Sequence, residues 1–367
     1  MKILFSISSL GLGHALRTLP IIKEFMLKNE IMILSHGKAL SILKDELKNN
    51  KIEFIDFEDY PPLERGNGLK FYYFLIKDIF ETKKIVKKEN KFVNKLIKEK
   101  NINLIISDGR YGSYSKKIKS FIISHQIKII MPKSLKIFQM ISDLVNYSCL
   151  KEFNMILIPD FEDSKNNLAG KMSHNWIVNN LPHKYIGILS SYTKTKTKED
   201  IDYYFITSGY IPNTKKDFIE ELIKKSKLLN GKKVFVLGET FSKSHSENKE
   251  DNIEIYPYVS GKLRNDLMNR SKVVISRSGY TTIMDLIELG KRAIITPTQN
   301  QVEQEYLADY LDKKNLFPSF NFKNFNMINM VEKAKNSNLL KFKEKTKDSI
   351  KKIINTINSI NNKKILQ

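Results

Sequence analysis

The chain has one cysteine, Cys149, among 367 residues, so no disulfide forms within it, which fits a reducing compartment. Acidic residues are scarce: 40 against 62 lysines and arginines, a formal charge of +22. No apolar run approaches the roughly 20 residues that a bilayer span needs. The opening MKILFSISSLGLGH carries one basic residue and no cleavage-like end, so it reads as a first strand rather than a signal peptide. No internal repeat of fixed period is present, and no nucleic-acid-binding signature accompanies the charge. What is there is a globular composition, 41% hydrophobic and 10% aromatic, long enough for two cores. The expectation is a cytoplasmic protein, free or peripheral on the inner face of a membrane. The positive excess has a compositional source, since the chain is rich in Lys, Asn and Ile. It also has a functional one, attraction to anionic lipid, while nucleic acid is not expected as a partner.

The most informative stretch is 256–311. Val273, Val274 and Ile275 read as a buried strand, which Ser278 and Gly279 break. Helical spacing follows at Ile283, Leu286, Ile287 and Leu289, closed by Gly290, and a second buried run at 292–296 stops at Pro297. This is a strand–turn–helix–strand unit of a parallel sheet. The turn is small and rich in hydroxyls. Backbone N–H groups at the helix start lie open to an anion, the helix dipole favours one there, and Ser278, Thr281 and Thr282 add donors. Asp285, one turn on, is in reach of a ribose. Serine and threonine at a helix start are equally ordinary caps. The next loop, 297–305, crowds amides and carboxylates at the carboxyl end of a parallel strand, where open α/β sheets bind ligands.

On these residues the run RSGYTTIMDLIELGKRAIITPTQNQVEQEYLADYL resembles the donor-binding half of the family 28 glycosyltransferases. The resemblance implies the GT-B fold: an α/β protein of two Rossmann-like domains whose parallel sheets face each other across a cleft, closing when donor binds. It implies a UDP-sugar donor, with Arg277, Ser278, Gly279 and Thr282 at the diphosphate and Asp285 at the ribose, where the family usually has Glu. Gln301, Gln304 and Glu305 fall on the sugar hydroxyls, and the backbone of Tyr258 and Val259 on the uracil edge. The family usually places two glycines after an earlier strand; here Gly209 is followed by Tyr210, which narrows the pocket. The wording PDFED…NLAGKMSH resembles a bacterial and archaeal branch of the same superfamily.

The amino-terminal half opens with a strand at 2–8, a turn containing Gly11 and Gly13, and a helix from Ala15. Paired glycines allow close approach of backbone to a ligand, but no third glycine completes a dinucleotide fingerprint. His14 stands at the helix start, either as a cap or as a base whose unperturbed pKa lies near operating pH. GLGHALR resembles the Gly-x-Gly-His element that family 28 enzymes set against the acceptor. Arg17 is one turn on, as a phosphate or acceptor contact or a surface residue. Asp108 ends the strong strand 104–107 and either orients His14 or caps a turn. Further strands are expected at 31–35, 52–57, 127–132 and 155–159, and in the second half at 203–207, 233–237 and 253–259. Residues 69–100 read as a core-facing helix pair with solvated lysines, or as a basic amphipathic stretch lying on an anionic membrane.

The expected domains are 1–189, a linker at 190–200, a nucleotide-sugar domain at 201–340, and a helix at 341–367 packing back on the first domain. The expected activity is inverting transfer of a hexosyl group from a UDP-sugar to an acceptor hydroxyl on a cell-envelope lipid or glycan. It needs no metal and no cofactor besides the donor. A hydrolase or epimerase of nucleotide sugars on the same fold is the alternative. A non-catalytic basic protein that binds membrane or nucleic acid is the second.

Overall fold

The computed structural model describes the chain except residues 49, 62–68, 208–211, 239–245, 249–251, 321–324, 338–341 and 363–367; at 69–80, 212–216, 246–248 and 362 it describes the backbone alone. The chain forms two compact units, Met1–Ser191 with Glu344–Gln367, and Tyr192–Lys343.

The first unit contains β1 (Lys2–Ile7), α1 (Gly13–Phe25), β2 (Glu30–Ser35), α2 (Gly37–Glu46), β3 (Glu53–Asp56), α3 (Leu69–Lys100) and β4 (Leu104–Asp108). It continues with β5 (Lys119–Ile123), a 3-10 turn at Lys133–Phe138, α4 (Gln139–Leu150), β6 (Met155–Ile158), α5 (Trp176–Asn179) and β7 (His183–Tyr185). The strands make one parallel sheet in the order β3-β2-β1-β4-β5-β6-β7. Ile3, Leu4, Phe5 and Ile7 on β1, and Leu104, Ile105 and Ile106 on β4, are all buried. Continuous burial without alternation is the mark of a parallel sheet covered on both faces.

Two sequence expectations fail here. Residues 127–132 form no strand; the strand is β5, which pairs with β4 (Leu104↔Lys119 to Asp108↔Ile123) and β6. Residues 69–100 form one 32-residue helix, not a pair. Its described half buries Val93, Leu96 and Ile97 against β1, β2 and β4 residues while its lysines face solvent. The side chains of Phe71, Phe74, Leu75 and Ile79 lie outside the described residues.

The second unit contains β8 (Ile201–Ile206), α6 (Pro212–Ser226), β9 (Lys233–Val236), β10 (Ser246–Asn248), β11 (Ile253–Tyr256) and α7 (Gly261–Arg270). Next come β12 (Ser271–Arg277), α8 (Tyr280–Leu289), β13 (Arg292–Thr296), α9 (Val302–Lys313) and α10 (Met327–Asn336). The sheet order is β10-β11-β9-β8-β12-β13, parallel except for the β10–β11 pair. Phe205, Phe235, Ile275 and Ile294 centre its core, with the Phe205 and Phe235 rings stacked 4.1 Å apart. The last helix, α11 (Thr346–Asn362), returns to the first unit, buries Ile353 and Ile357 and packs beside α1. Thr346 Oγ1 accepts the Ser190 N–H at 2.9 Å.

Both sheets have a topological switch point, where the chain leaves one strand to each side and a crevice opens at the carboxyl edge. In the first unit it lies between β1 and β4, in the second between β8 and β12.

Candidate active site

At the first switch point Ile7 pairs with Asp108, and the glycine turn carries the chain from β1 into α1. Gly11 holds φ at 90°, and Gly13 is the first residue of the helix. His14 Nδ1 lies 2.7 Å from Asp108 Oδ1. The carboxylate is fully buried and also accepts from Arg17 Nε at 2.8 Å, from Arg17 Nη2, and from Thr18 Oγ1 at 2.6 Å. Burial by itself would raise the Asp108 pKa. The Arg17 guanidinium, and next to it His14, outweigh that and hold the carboxyl well below the usual range. His14 Nδ1 also lies 3.0 Å from Arg17 Nη2, but that nitrogen already donates to Asp108 Oδ1. The shorter contact, to an ionised carboxylate that can only accept, assigns the proton to Nδ1 and leaves the Nε2 lone pair as the basic site. His14 is partly exposed, which leaves that nitrogen approachable.

Gly109 makes the arrangement sterically feasible. Its φ is +75°, and a Cβ there would lie 2.9 Å from His14 Cε1 and 3.1 Å from its Nδ1. Arg17 is not a surface residue: it is 2% exposed, tied to Asp108, with Nη1 3.1 Å from His125 Nδ1. A guanidinium has no acceptor, so that nitrogen of His125 is the unprotonated one and Nε2 carries the hydrogen.

Several supporting residues had no signal in the sequence. Asp59 accepts the Ser9 N–H and, at 3.0 Å, the Ser8 hydroxyl, and so holds the glycine turn. Behind it the fully buried Arg110 donates to Glu89 at 2.7 Å and to the Glu58 carbonyl at 2.6 Å. His125 follows β5, the strand the sequence misplaces, and its position at the carboxyl edge was hidden for that reason. Only its Ser-His-Gln setting between two apolar runs hinted at an edge.

At the second switch point Arg277 ends β12, Gly279 is the N-cap of α8, and among the described residues no side chain caps the helix. Among the described residues no acceptor meets the N–H groups of Gly279, Thr281 or Thr282. A Cβ on Gly279 would meet nothing nearer than Thr282 Oγ1 at 4.0 Å. Thr281 and Thr282 are half-buried. Arg277 donates to the Pro297 carbonyl at 2.9 Å and lies 3.5 Å from the Phe218 ring centroid. Burial pushes its pKa down to about 10, and among the described residues no carboxylate pairs with it.

Ser278 is fully buried, its hydroxyl donating to the Gln304 carbonyl at 2.8 Å, so it joins the turn to the 297–305 loop. Gln304 Oε1 accepts the Thr298 N–H at 2.9 Å, its Nε2 donates to Gln301 Oε1, and Glu305 accepts the Asn300 N–H at 3.0 Å. The structure thus uses Gln304 and Glu305 to shape the loop. Asp285 is 6% exposed inside α8. Burial pushes the pKa of the Tyr192 hydroxyl up; Arg264, 4.5 Å from the Tyr192 ring centroid, opposes that, and Asp285 adds to it. Tyr258 and Val259 follow β11 at the same sheet edge. Gly209 and Tyr210 lie outside the described residues. Among the described residues no three His, Cys, Asp or Glu side chains converge on a metal-sized site, and no helix is long and apolar enough to cross a membrane.

Residues 215–360 match the model of the glycosyltransferase family 28 C-terminal domain. A search among curated protein sequences gives no match. Among solved structures, the glycotransferase of kitacinnamycin superposes with a TM-score of 0.64 at 11% identity, over 95% of this chain and 94% of its own. The glycosyltransferase SnogD from Streptomyces nogalater gives 0.60 at 12%, over 97% and 99%. MurG from Acinetobacter baumannii gives 0.56 at 11%, over 98% and 100%. At these identities the likeness is one of fold, the GT-B architecture of glycosyltransferases.

Proposed function

We propose, from the premise of a family 28-type glycosyltransferase of GT-B fold, that this protein transfers a hexosyl group from a UDP-sugar to an acceptor hydroxyl with inversion. The observation that carries the reading is Arg277: a half-buried cation with no carboxylate partner among the described residues, beside a helix start that no side chain of the described residues caps, at a switch point. Such a cation and such a helix end both favour a dianionic group. The diphosphate of the donor is that group, held by Arg277 and the N–H groups of Gly279, Thr281 and Thr282. In the transition state the same groups stabilise the charge building on the departing diphosphate, the part a metal plays elsewhere.

His14 supplies the base. Its Nε2 takes the proton of the acceptor hydroxyl as that oxygen bonds to the anomeric carbon and the bond to the diphosphate breaks. Asp108 stabilises the imidazolium that results. The shaped 297–305 loop is set to meet the sugar through Gln301, and Tyr258 and Val259 to meet the base. The acceptor class is a hydroxyl of a cell-envelope lipid or glycan.

The test is thermal shift and calorimetry with UDP, TDP, GDP and ADP on the wild type, Arg277→Ala and Gly279→Ala. A ligand at a hundred times its Kd adds about 2.7 kcal/mol to the folded state. UDP should stabilise the wild type most, EDTA should change nothing, and both variants should weaken binding by about tenfold or more, at about 1.4 kcal/mol per decade. No response to any nucleotide would end this reading. Free sugar released from UDP-sugar without acceptor would make water the acceptor and the protein a hydrolase.

A further inference from the structure

The 3-10 turn at Lys133–Phe138 and α4 present Ile137, Phe138, Met140, Ile141, Leu144 and Val145 to solvent; Ile137 is 83% exposed and Met140 61%. The other large apolar residues exposed among the described ones are scattered singly over both units. Single exposed leucines are ordinary, but six large apolar side chains on one helical stretch are not.

Helix α4 is built inside out. Its inward positions include Asp143 and Asn146. Asp143 accepts from Lys128 Nζ at 3.0 Å, Gln139 Nε2 at 2.7 Å and Trp176 Nε1 at 3.3 Å. Asn146 Nδ2 donates to the Ile127 carbonyl, and Gln139 bridges the Ile129 carbonyl and the Met131 N–H. Turning the apolar face inward would break all of these bonds, so buried polar anchors hold that face outward.

Charge identifies the occupant. Lys133 and Lys136 at one end and Lys151 at the other are exposed, and the one acid within 133–151 is Asp143, turned inward. Glu152, just beyond, is paired with Lys116 at 2.7 Å. Tyr147 and Trp176, stacked 5.8 Å apart and half-buried, flank the stretch with amphipathic rings of the kind enriched at membrane interfaces. In a symmetric self-association each lysine end would oppose surfaces of its own sign. We propose that residues 133–151 dock this protein on an anionic lipid bilayer, with the apolar side chains at the acyl boundary and the lysines on the head groups. The stretch follows β5, and its anchors reach 127–131, just beyond His125 at the sheet edge where His14 opens. On the glycosyl-transfer reading, on which this one consequence rests, docking brings a lipid-borne acceptor to that edge.

Vesicle co-sedimentation tests it, without nucleotide. The wild type should bind phosphatidylglycerol–phosphatidylcholine vesicles, bind phosphatidylcholine alone about tenfold less or weaker still, and lose affinity in high salt. Ile141→Glu with Leu144→Glu should cut binding roughly a hundredfold, and Lys133→Glu with Lys136→Glu roughly tenfold. Leu27→Glu with Leu228→Glu, equally exposed elsewhere, should leave it unchanged. All these sites are on the surface, so circular dichroism and melting temperature should match the wild type. Binding that survives Ile141→Glu with Leu144→Glu in folded protein overturns the proposal. So does a wild type that ignores anionic vesicles, or one that is dimeric and becomes monomeric in that variant. UDP-induced stabilisation is measured separately, so vesicle binding can fail while the donor reading stands, and the reverse.

Discussion

At the scale of single residues, Asp108 controls the first unit's candidate chemistry. Its carboxylate is buried, yet Arg17, Thr18 and His14 all donate to it, so removing its charge strands a buried guanidinium. Breaking such a pair from one side costs about 3–5 kcal/mol. The folded-state pKa lies below the 3.8 of the free side chain, so the stabilisation is fully present above that value and is lost as pH falls through it toward the folded-state value. Asp108→Asn should therefore lower the melting temperature at neutral pH and flatten the loss of stability on acidification below 3.8. His14→Gln, at a partly exposed position, should leave stability nearly intact and cut kcat by about a hundred- to ten-thousandfold. If His14→Gln retains full transferase activity, the base is another group. If Asp108→Asn melts like the wild type, the pairing with Arg17 contributes nothing measurable.

At the scale of elements, what was legible in the sequence was local. The strand, turn and helix from β12 to Gly290 could be read off because a β-branched run, a Ser-Gly break and a helical stripe follow one another without help from distant partners. Gly290 does close α8, in the left-handed conformation with φ 65°. β5 could not be read this way. Lys119–Ile123 carries two β-branched residues and 127–131, although it contains Lys128, carries three, and only pairing with β4 on one side and β6 on the other selects the first. Ile127 is buried as a packed loop residue instead. The 297–305 loop shows the same limit. Its amides suggested sugar contacts, but Gln304 spends its side chain on Thr298 and Gln301, which no pattern of spacing reveals. Gln304→Ala should consequently lower affinity for UDP-sugar about tenfold by loosening the loop, while UDP itself binds within about twofold of wild type. Calorimetry with the two ligands decides it. Equal losses would mean that the loop supports the diphosphate turn, through Ser278 and the Gln304 carbonyl.

At the scale of the molecule, the chain's return to its first unit is a stability device with a separable signature. Isoleucines recur at helical spacing along α11, at 350, 353, 354, 357 and 360, and two of them, Ile353 and Ile357, are buried. Around them the fit is close: Ser349 is fully buried, and a Cβ on Gly187, whose φ is +87°, would come within 2.8 Å of its hydroxyl. Truncating a buried isoleucine to alanine costs about 2–5 kcal/mol, because the site cannot collapse around the missing atoms. Ile353→Ala should therefore speed hydrogen exchange at amides of β1 and β4, which belong to the same unit though hundreds of residues away in sequence. The groups proposed to hold the donor, from Arg277 to Thr282, belong to the other unit, so the Kd for UDP should stay within about twofold of wild type. Faster exchange in the first unit with unchanged UDP binding would place the contribution of α11 in the first unit. Unchanged exchange at β1 and β4 would show that α11 rests there without stabilising it. Loss of UDP affinity would mean that the helix also sets the geometry of the donor turn, and the division of labour between the two units would have to be redrawn.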